Sequence, residues 1–196
     1  MDLDGEPMIG HVYRRACKIV GVDGVMVAYP MTEDNAPLMK FCVSRRIRCF
    51  SGSEDDVLDR YYWCARHTRA DVIVRITADC PLLNPSESSK VVLSFLGKIA
   101  SGRDIHYLSN IHPVRVAAKG EDTECFTFYA LQEAWRNARD PYSREHVTPY
   151  MKQHLICGKM NYLNPNHEEN FSVDTLDDLK NVQGILDQLK EGDGED

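Results

Sequence analysis

Val72-Ile73-Val74-Arg75-Ile76-Thr77-Ala78-Asp79-Cys80-Pro81-Leu82 decides how this chain is read. Val72 to Ile76 is a short, largely apolar run of strand length, the stretch from Thr77 to Pro81 stops it, and helical spacing takes over from Pro85 to Leu96. Strand, loop and helix in that order form the repeating unit of a parallel sheet. The same rhythm runs upstream: helical spacing over 8–20, an apolar strand over 24–29, a helix over 35–44, a strand over 47–50 stopped by Ser51-Gly52-Ser53, and a helix over 55–67. The expected fold is α/β, a mostly parallel (mixed) sheet flanked by helices, its strands joined by right-handed crossovers. Asp79 then falls beyond a strand end, at the sheet edge where open α/β folds bind ligands.

The second half is less regular. Strands are expected over 105–109 and 123–128, helices over 129–138 and 143–153, a strand over 156–163, and a short strand over 171–173 that delivers Asp174 to the same edge as Asp79. Thr175 followed by Asp178 resembles a capping box, opening a last helix with Leu179, Val182, Leu186 and Leu189 on one face. With no internal repeat or linker, residues 1–190 read as one domain, and Glu191-Gly192-Asp193-Gly194-Glu195-Asp196 as a disordered acidic tail.

At 196 residues and 43% hydrophobic content the chain can bury a substantial core. A net charge of -7 argues against a nucleic-acid partner and against anionic membranes, and no apolar stretch of 18 residues is present. The expectation is a soluble, cytoplasmic protein. Seven cysteines without a C-x-x-C pair or zinc spacing read as reduced thiols, Cys80 included, since no histidine stands near it in sequence.

Short motifs have plain structural readings beside the chemical ones. An Asp before a Cys-Pro step is a turn former, and Asp174-Thr175 is a helix start. Ser53 is suited to capping the 55–67 helix, on which Leu58, Tyr61, Tyr62 and Ala65 have core spacing. Asp122 and Glu124, two apart on an expected strand, should share one face and meet water, a cation or ligand hydroxyls. Arg75, mid-strand between apolar residues, calls for an internal ion-pair partner.

Six stretches in order carry a resemblance: Gly5-Glu6-Pro7-Met8-Ile9, Ser51 to Tyr62, Arg75 to Leu82, Gly120-Glu121-Asp122-Thr123-Glu124, Arg144-Glu145-His146-Val147-Thr148-Pro149-Tyr150, and Val173-Asp174-Thr175. From about Asp2 to Leu189 the chain resembles cytidylyltransferases of the spore-coat-polysaccharide biosynthesis type, with CMP-Kdo synthetase and acylneuraminate cytidylyltransferase as more distant relatives. The resemblance implies a fold similar to A-type glycosyltransferases and transfer of CMP from CTP to an acidic sugar, with release of pyrophosphate. It implies Mg²⁺ held by Asp79 and Asp174 as the catalytic acids. It also implies nucleotide contacts from Gly52, Ser53, Glu54 and Asp56, and sugar-side contacts from Asp122, Glu124, Arg144, Glu145 and His146. For His146 a hydrogen-bonded structural role stands equally beside that one. Relatives of this type commonly dimerise, so a homodimer through residues 103–150 is expected.

Members of the family open with a strand and a Gly-, Arg- and Ser-rich loop ending in Pro-Gly-Lys that grips the triphosphate, and the match here begins just after it. The expectation is therefore an N-terminally truncated member, impaired in turnover, whose inner strands lack a hydrogen-bonding neighbour. Ala28-Tyr29-Pro30 also departs from relatives, which tend to have a small hydroxyl residue after the Ala. An A-type glycosyltransferase and a noncatalytic remnant are the alternatives; the former usually carries Asp-x-Asp where this chain reads Ala78-Asp79-Cys80.

Overall fold

Asp4 and Gly5, both at positive φ (54° and 78°), turn the chain between β1 (Asp2–Leu3) and β2 (Glu6–Pro7), and α1 (Met8–Ala16) follows at once. A computed structural model describes residues 1–192, apart from the side chains of 189–192. The first parallel unit comes next. Strand β3 (Val27–Pro30), a 3-10 turn and α2 (Ala36–Ser44) lead to β4 (Cys49–Gly52), which pairs with β3 in parallel from Val27↔Cys49 to Pro30↔Gly52. Helix α3 (Val57–Thr68) returns, β5 (Val72–Arg75) follows, and α4 (Pro85–Ala100) starts behind Asn84, whose side chain accepts the Ser86 and Glu87 N–H groups.

The mixed α/β architecture expected from the sequence is present, with parallel pairing confined to β3–β4. Strand β5 does not join that pair. Its neighbour is β7 (Glu124–Thr127), which runs antiparallel to β5 and to β6 (Tyr107–Ser109), giving the order β5-β7-β6. After α4 the chain doubles back through residues 110–123 instead of crossing over with another helix, so parallel pairing stops there. Among the described residues, β3 and β5 each keep one edge without a partner strand.

Side chains join the two sheets. Ile9 and Tyr13 of α1 pack with Val27, Cys42 and Ile47, while Ala16 of the same helix packs with Val91, Phe95 and Cys125. On α3, Leu58, Tyr62 and Ala65 meet Phe126 and Ala130, Leu131 and Ala134 of α5 (Phe128–Asn137), and Tyr62 stacks on Trp135 at 4.0 Å. Val182 and Leu186 of α8 (Leu176–Gly192) close a smaller cluster with Leu3, Leu82 and Val173.

Three expectations need correction. The helix expected over 143–153 is two helices, α6 (Pro141–His146) and α7 (Pro149–His154). Between them Val147 has φ 70° and ψ -53°, and Thr148 N–H donates to the His146 carbonyl, a strained γ-turn that Pro149 accommodates by opening a new helix. The strand expected over 156–163 reduces to a single bridge, Tyr107↔Cys157, and the one expected over 171–173 is not formed, the neighbouring bridge being Lys119↔Asn170. Glu191 and Gly192, assigned above to a tail, belong to α8; residues 193–196 and the side chain of Leu189 lie outside the described residues. No helix among them is long and apolar enough to cross a membrane.

Candidate active site

Three backbone segments converge beyond the end of β5. Val173 N–H donates to the Asp79 carbonyl at 2.9 Å, Phe171 N–H donates to the Lys119 carbonyl at 2.7 Å, and Lys119 N–H donates to the Glu169 carbonyl at 2.9 Å. This lacing sets Asp174 in the segment alongside Asp79, although residues 171–173 form no strand. Gly120 makes the close approach feasible: at φ 91°, a Cβ there would lie 2.5 Å from the Phe171 carbonyl carbon and from the Ser172 nitrogen.

Lys119 was not singled out by the sequence reading, although it directly precedes Gly120. Its Nζ is 2.8 Å from Asp174 Oδ2, both side chains being half exposed. The bond to Asp174 and its charge, followed by the charges of Asp178 and Asp79, raise the Lys119 pKa. Ser172 Oγ also donates to Asp174 Oδ2. Asp178 accepts from Thr175 N–H and Oγ1 and holds the start of α8, as the capping-box reading expected. Cys80 is buried, and burial and the Asp79 charge push its thiol up to about 12, which suits an inert thiol.

The edge of the β3–β4 pair forms a second group. Asp56, not Ser53, caps α3 by accepting from Asp59 N–H at 2.8 Å; Ser53 Oγ accepts from Asp56 N–H one step earlier. Asp56 Oδ2 also takes Arg144 Nε at 2.8 Å and Arg144 Nη2, so the sequence-selected Asp56 and Arg144 hold each other. Glu54 is exposed. Gly52 lies beneath Arg60, whose Cγ would be 2.9 Å from a Cβ at Gly52. Arg60 is 9% exposed and its Nη1 donates to the Ser53 carbonyl. Sequence reasoning passed over Arg60, because an Arg one turn into an amphipathic helix reads as a surface residue.

Asp122 and Glu124 do not share a face, because β7 begins only at Glu124. Asp122 forms a bidentate pair with Arg115, at 2.6 and 3.0 Å. Glu124 is in the core, 1% exposed. It accepts from Arg75 Nη1 at 2.5 Å, Tyr107 Oη at 2.6 Å and Thr148 Oγ1 at 2.8 Å, with Lys152 Nζ at 2.9 Å. Burial alone would raise its pKa, but the charges of Arg75 and Lys152 and the bonds from Tyr107 and Lys152 outweigh that and hold it at about 2. The internal partner expected for Arg75 is thus Glu124. Glu145 and His146 are exposed at the end of α6; the His146 imidazole packs edge-on to Tyr142 at 4.4 Å and makes no side-chain hydrogen bond among the described residues.

Comparison with known proteins places this architecture. A cytidylyltransferase family model matches residues 1–185, so the chain belongs to the cytidylyltransferase family. It is 35% identical over 164 residues to an uncharacterized protein of Methanocaldococcus jannaschii, covering 81% of this chain and 64% of that protein. It is 23% identical over 174 residues to the spore coat polysaccharide biosynthesis protein SpsF of Bacillus subtilis, covering 86% of this chain and 69% of that one. The chain thus spans roughly two thirds of the length of these relatives. Among solved structures, a cytidylyltransferase from Leptospira borgpetersenii superposes with a TM-score of 0.86 at 24% identity, covering 96% of this chain and 79% of that chain. The fold is nucleotidyltransferase-like.

Proposed function

We propose that this protein transfers CMP from CTP to an acidic sugar in surface-polysaccharide biosynthesis. A sugar hydroxyl attacks the α-phosphorus, the bond to the bridging oxygen breaks, and pyrophosphate leaves as the CMP-sugar forms. Family membership and the name of the Bacillus subtilis relative support the reaction class. The observation that carries the reading for these residues is the Asp79–Val173 junction, which brings two carboxylate-bearing segments far apart in sequence to one edge.

Mg²⁺ suits that edge. It needs only one or two protein carboxylates, and Asp79 and Asp174 would supply them, although no cluster of three or more metal-ligating side chains occurs among the described residues. When bound, the ion would offset negative charge on the triphosphate. The chain's own groups do the remaining work. Lys119 offers an exposed ammonium beside both carboxylates, able to trade Asp174 for an anionic oxygen of a substrate. The Ser172 hydroxyl and the Gly120 contact hold the Asp174 segment in place. Gly52, Ser53 and Glu54 face the nucleotide, and Asp122 lies on the sugar side. Association as a homodimer through residues 103–150 belongs to the same reading, and a clean monomer in light scattering over a wide concentration range would remove that part.

The test is pyrophosphate release from CTP with a panel of 3-deoxy and amino sugar acids, in the protein and in Asp174→Asn. Turnover that requires both CTP and an acidic sugar and falls at least a hundredfold in Asp174→Asn is the expected result. Release of CMP or UDP from nucleotide sugars without pyrophosphate formation would refute it.

A further inference from the structure

Where α5 ends and the chain turns into α6, an open cleft of about 550 Å³ lies against α3. That volume is in the range of small-molecule sites. Asp59 and Trp135 line it together with Arg136, Ala138, Arg139 and Arg144, and none of these belongs to the Asp79–Asp174 edge. Three arginines between positions 136 and 144 also concentrate positive charge in a chain whose net charge is -7.

Of the three, Arg144 is committed to the fold. It donates from Nε to Asp56 Oδ2 at 2.8 Å and from Nη1 to the Trp135 carbonyl at 2.9 Å, which balances its charge and satisfies the end of α5. The other two are uncommitted. Arg136 reaches Glu133 only at 3.7 Å with a side chain 56% exposed, and the exposed Arg139 side chain makes no ion pair or hydrogen bond among the described residues. Two accessible guanidinium groups lining one cleft thus keep their donors available for an anion.

Exposed arginines alone would not define a ligand, and the remaining lining groups narrow the choice. Asp59 Oδ1 accepts Trp135 Nε1–H at 2.7 Å, which fixes the carboxylate against the indole, and Oδ2 takes no hydrogen bond among the described residues. Trp135 is itself held, stacked on Tyr62 at 4.0 Å. A carboxylate oxygen accepts hydroxyl groups and repels a second anion, while an indole offers a flat apolar surface to a ring. The cleft therefore suits a molecule with phosphate at one end and hydroxyls at the other.

We propose that this cleft binds a phosphorylated sugar, with Arg136 and Arg139 on the phosphate, the free oxygen of Asp59 on a hydroxyl, and Trp135 against the ring. It is a second ligand site, and it does not rest on the cytidylyl-transfer reading. Arg144 lines the cleft and holds the Asp56 cap of α3, so the occupant lies one side chain away from the β4 edge.

The experiment follows the Trp135 indole N–H by ¹H–¹⁵N NMR, without CTP or Mg²⁺, as glucose 6-phosphate, N-acetylglucosamine 6-phosphate, glucose or inorganic phosphate is added at constant ionic strength. The chain has two tryptophans, and Trp63→Phe assigns the signal. This N–H already donates to Asp59, so a hydroxyl arriving at that carboxylate moves it. A hydrogen bond to a charged group corresponds to roughly ten- to hundredfold in affinity. At least one sugar phosphate should give a saturable shift, with glucose and inorganic phosphate each weaker by that factor, and Arg136→Gln and Arg139→Gln should each weaken the sugar phosphate likewise. Asp174→Asn should leave its binding unchanged. Should a variant fail to fold by circular dichroism, the ranking of the four ligands on the unaltered protein decides. No shift with either sugar phosphate, inorganic phosphate or glucose binding as tightly as the sugar phosphate, or arginine variants that bind as well as the native protein would overturn the proposal. An equal loss in Asp174→Asn would assign the ligand to the acidic edge and overturn it as well.

Discussion

Glu124→Gln keeps the shape of the buried side chain and removes only its charge. In the native protein this carboxylate meets Arg75 at 2.5 Å, Lys152 at 2.9 Å, and the hydroxyls of Tyr107 and Thr148, at 1% exposure. The amide retains one acceptor oxygen for Tyr107 and Thr148 but turns an NH₂ donor toward a cation, leaving Arg75 and Lys152 without compensation. Their side chains are 16% and 24% exposed, so water relieves them only in part. Breaking a buried pair from one side costs about 3–5 kcal/mol, which for a chain of this size corresponds to a drop in Tm of about 6–20 °C. The sign of the pH dependence is fixed as well. The folded carboxyl titrates at about 2, below its ordinary 4.5, so its stabilisation is complete above about pH 4.5 and is lost as pH falls toward 2. Urea unfolding of both proteins between pH 7 and pH 3 should therefore show a gap that is widest at neutral pH and narrows in acid. A variant within 1 kcal/mol of the native protein at pH 7, or a gap that widens in acid, would refute this account of the network.

Substitutions at two further positions test how the site is held. Asp56→Asn should keep most of the α3 cap and lose the charge opposite Arg144, costing about 1 kcal/mol or less at this partly exposed pair, whereas Asp56→Ala should lose both and cost about 2 kcal/mol. Urea midpoints order the three proteins, and an Asn variant as unstable as Ala would mean the ion pair and not the cap dominates. Gly120→Ala forces a Cβ to within 2.5 Å of backbone atoms at Phe171 and Ser172 and strains a φ of 91°. It should destabilise by at least about 3 kcal/mol and loosen the Asp174 segment, seen as faster amide exchange at Phe171 and Val173; an unchanged Tm would show that the approach is not tight.

The legible parts of the sequence were those governed by local spacing. The apolar run at Val72, the helix of Leu58, Tyr62 and Ala65, and the Thr175–Asp178 cap each follow from contacts a few residues long, and each is where the spacing put it. Partner choice was not legible. Nothing in Val72–Arg75 distinguishes a parallel neighbour from β7, because that depends on how the chain returns through residues 110–123. Asp122 and Glu124 were misjudged for the same reason: alternation predicts a shared face only inside a strand, and the strand starts two residues after Asp122. The two acidic motifs carried their own signal, but Lys119 and Arg60 did not. What sets them apart is what they touch across the fold, Asp174 for the lysine and the Ser53 carbonyl for the arginine, and neither a lysine before a glycine nor an arginine on a helix announces that.

The division into a β3–β4 pair and a β5-β7-β6 sheet has a consequence for how the molecule breathes. In a strand paired on one side only, alternate backbone amides point toward the partner and the others point away, so protection should follow a period of two along Val27–Pro30 and Val72–Arg75. The outward amides can exchange with solvent with both cores intact, while motion of one sheet relative to the other is resisted by side chains, those of α1 and α3 among them, and not by backbone hydrogen bonds between the sheets among the described residues. Such edges are templates for any extended chain that reaches them, so protein concentration sets how long they stay bare.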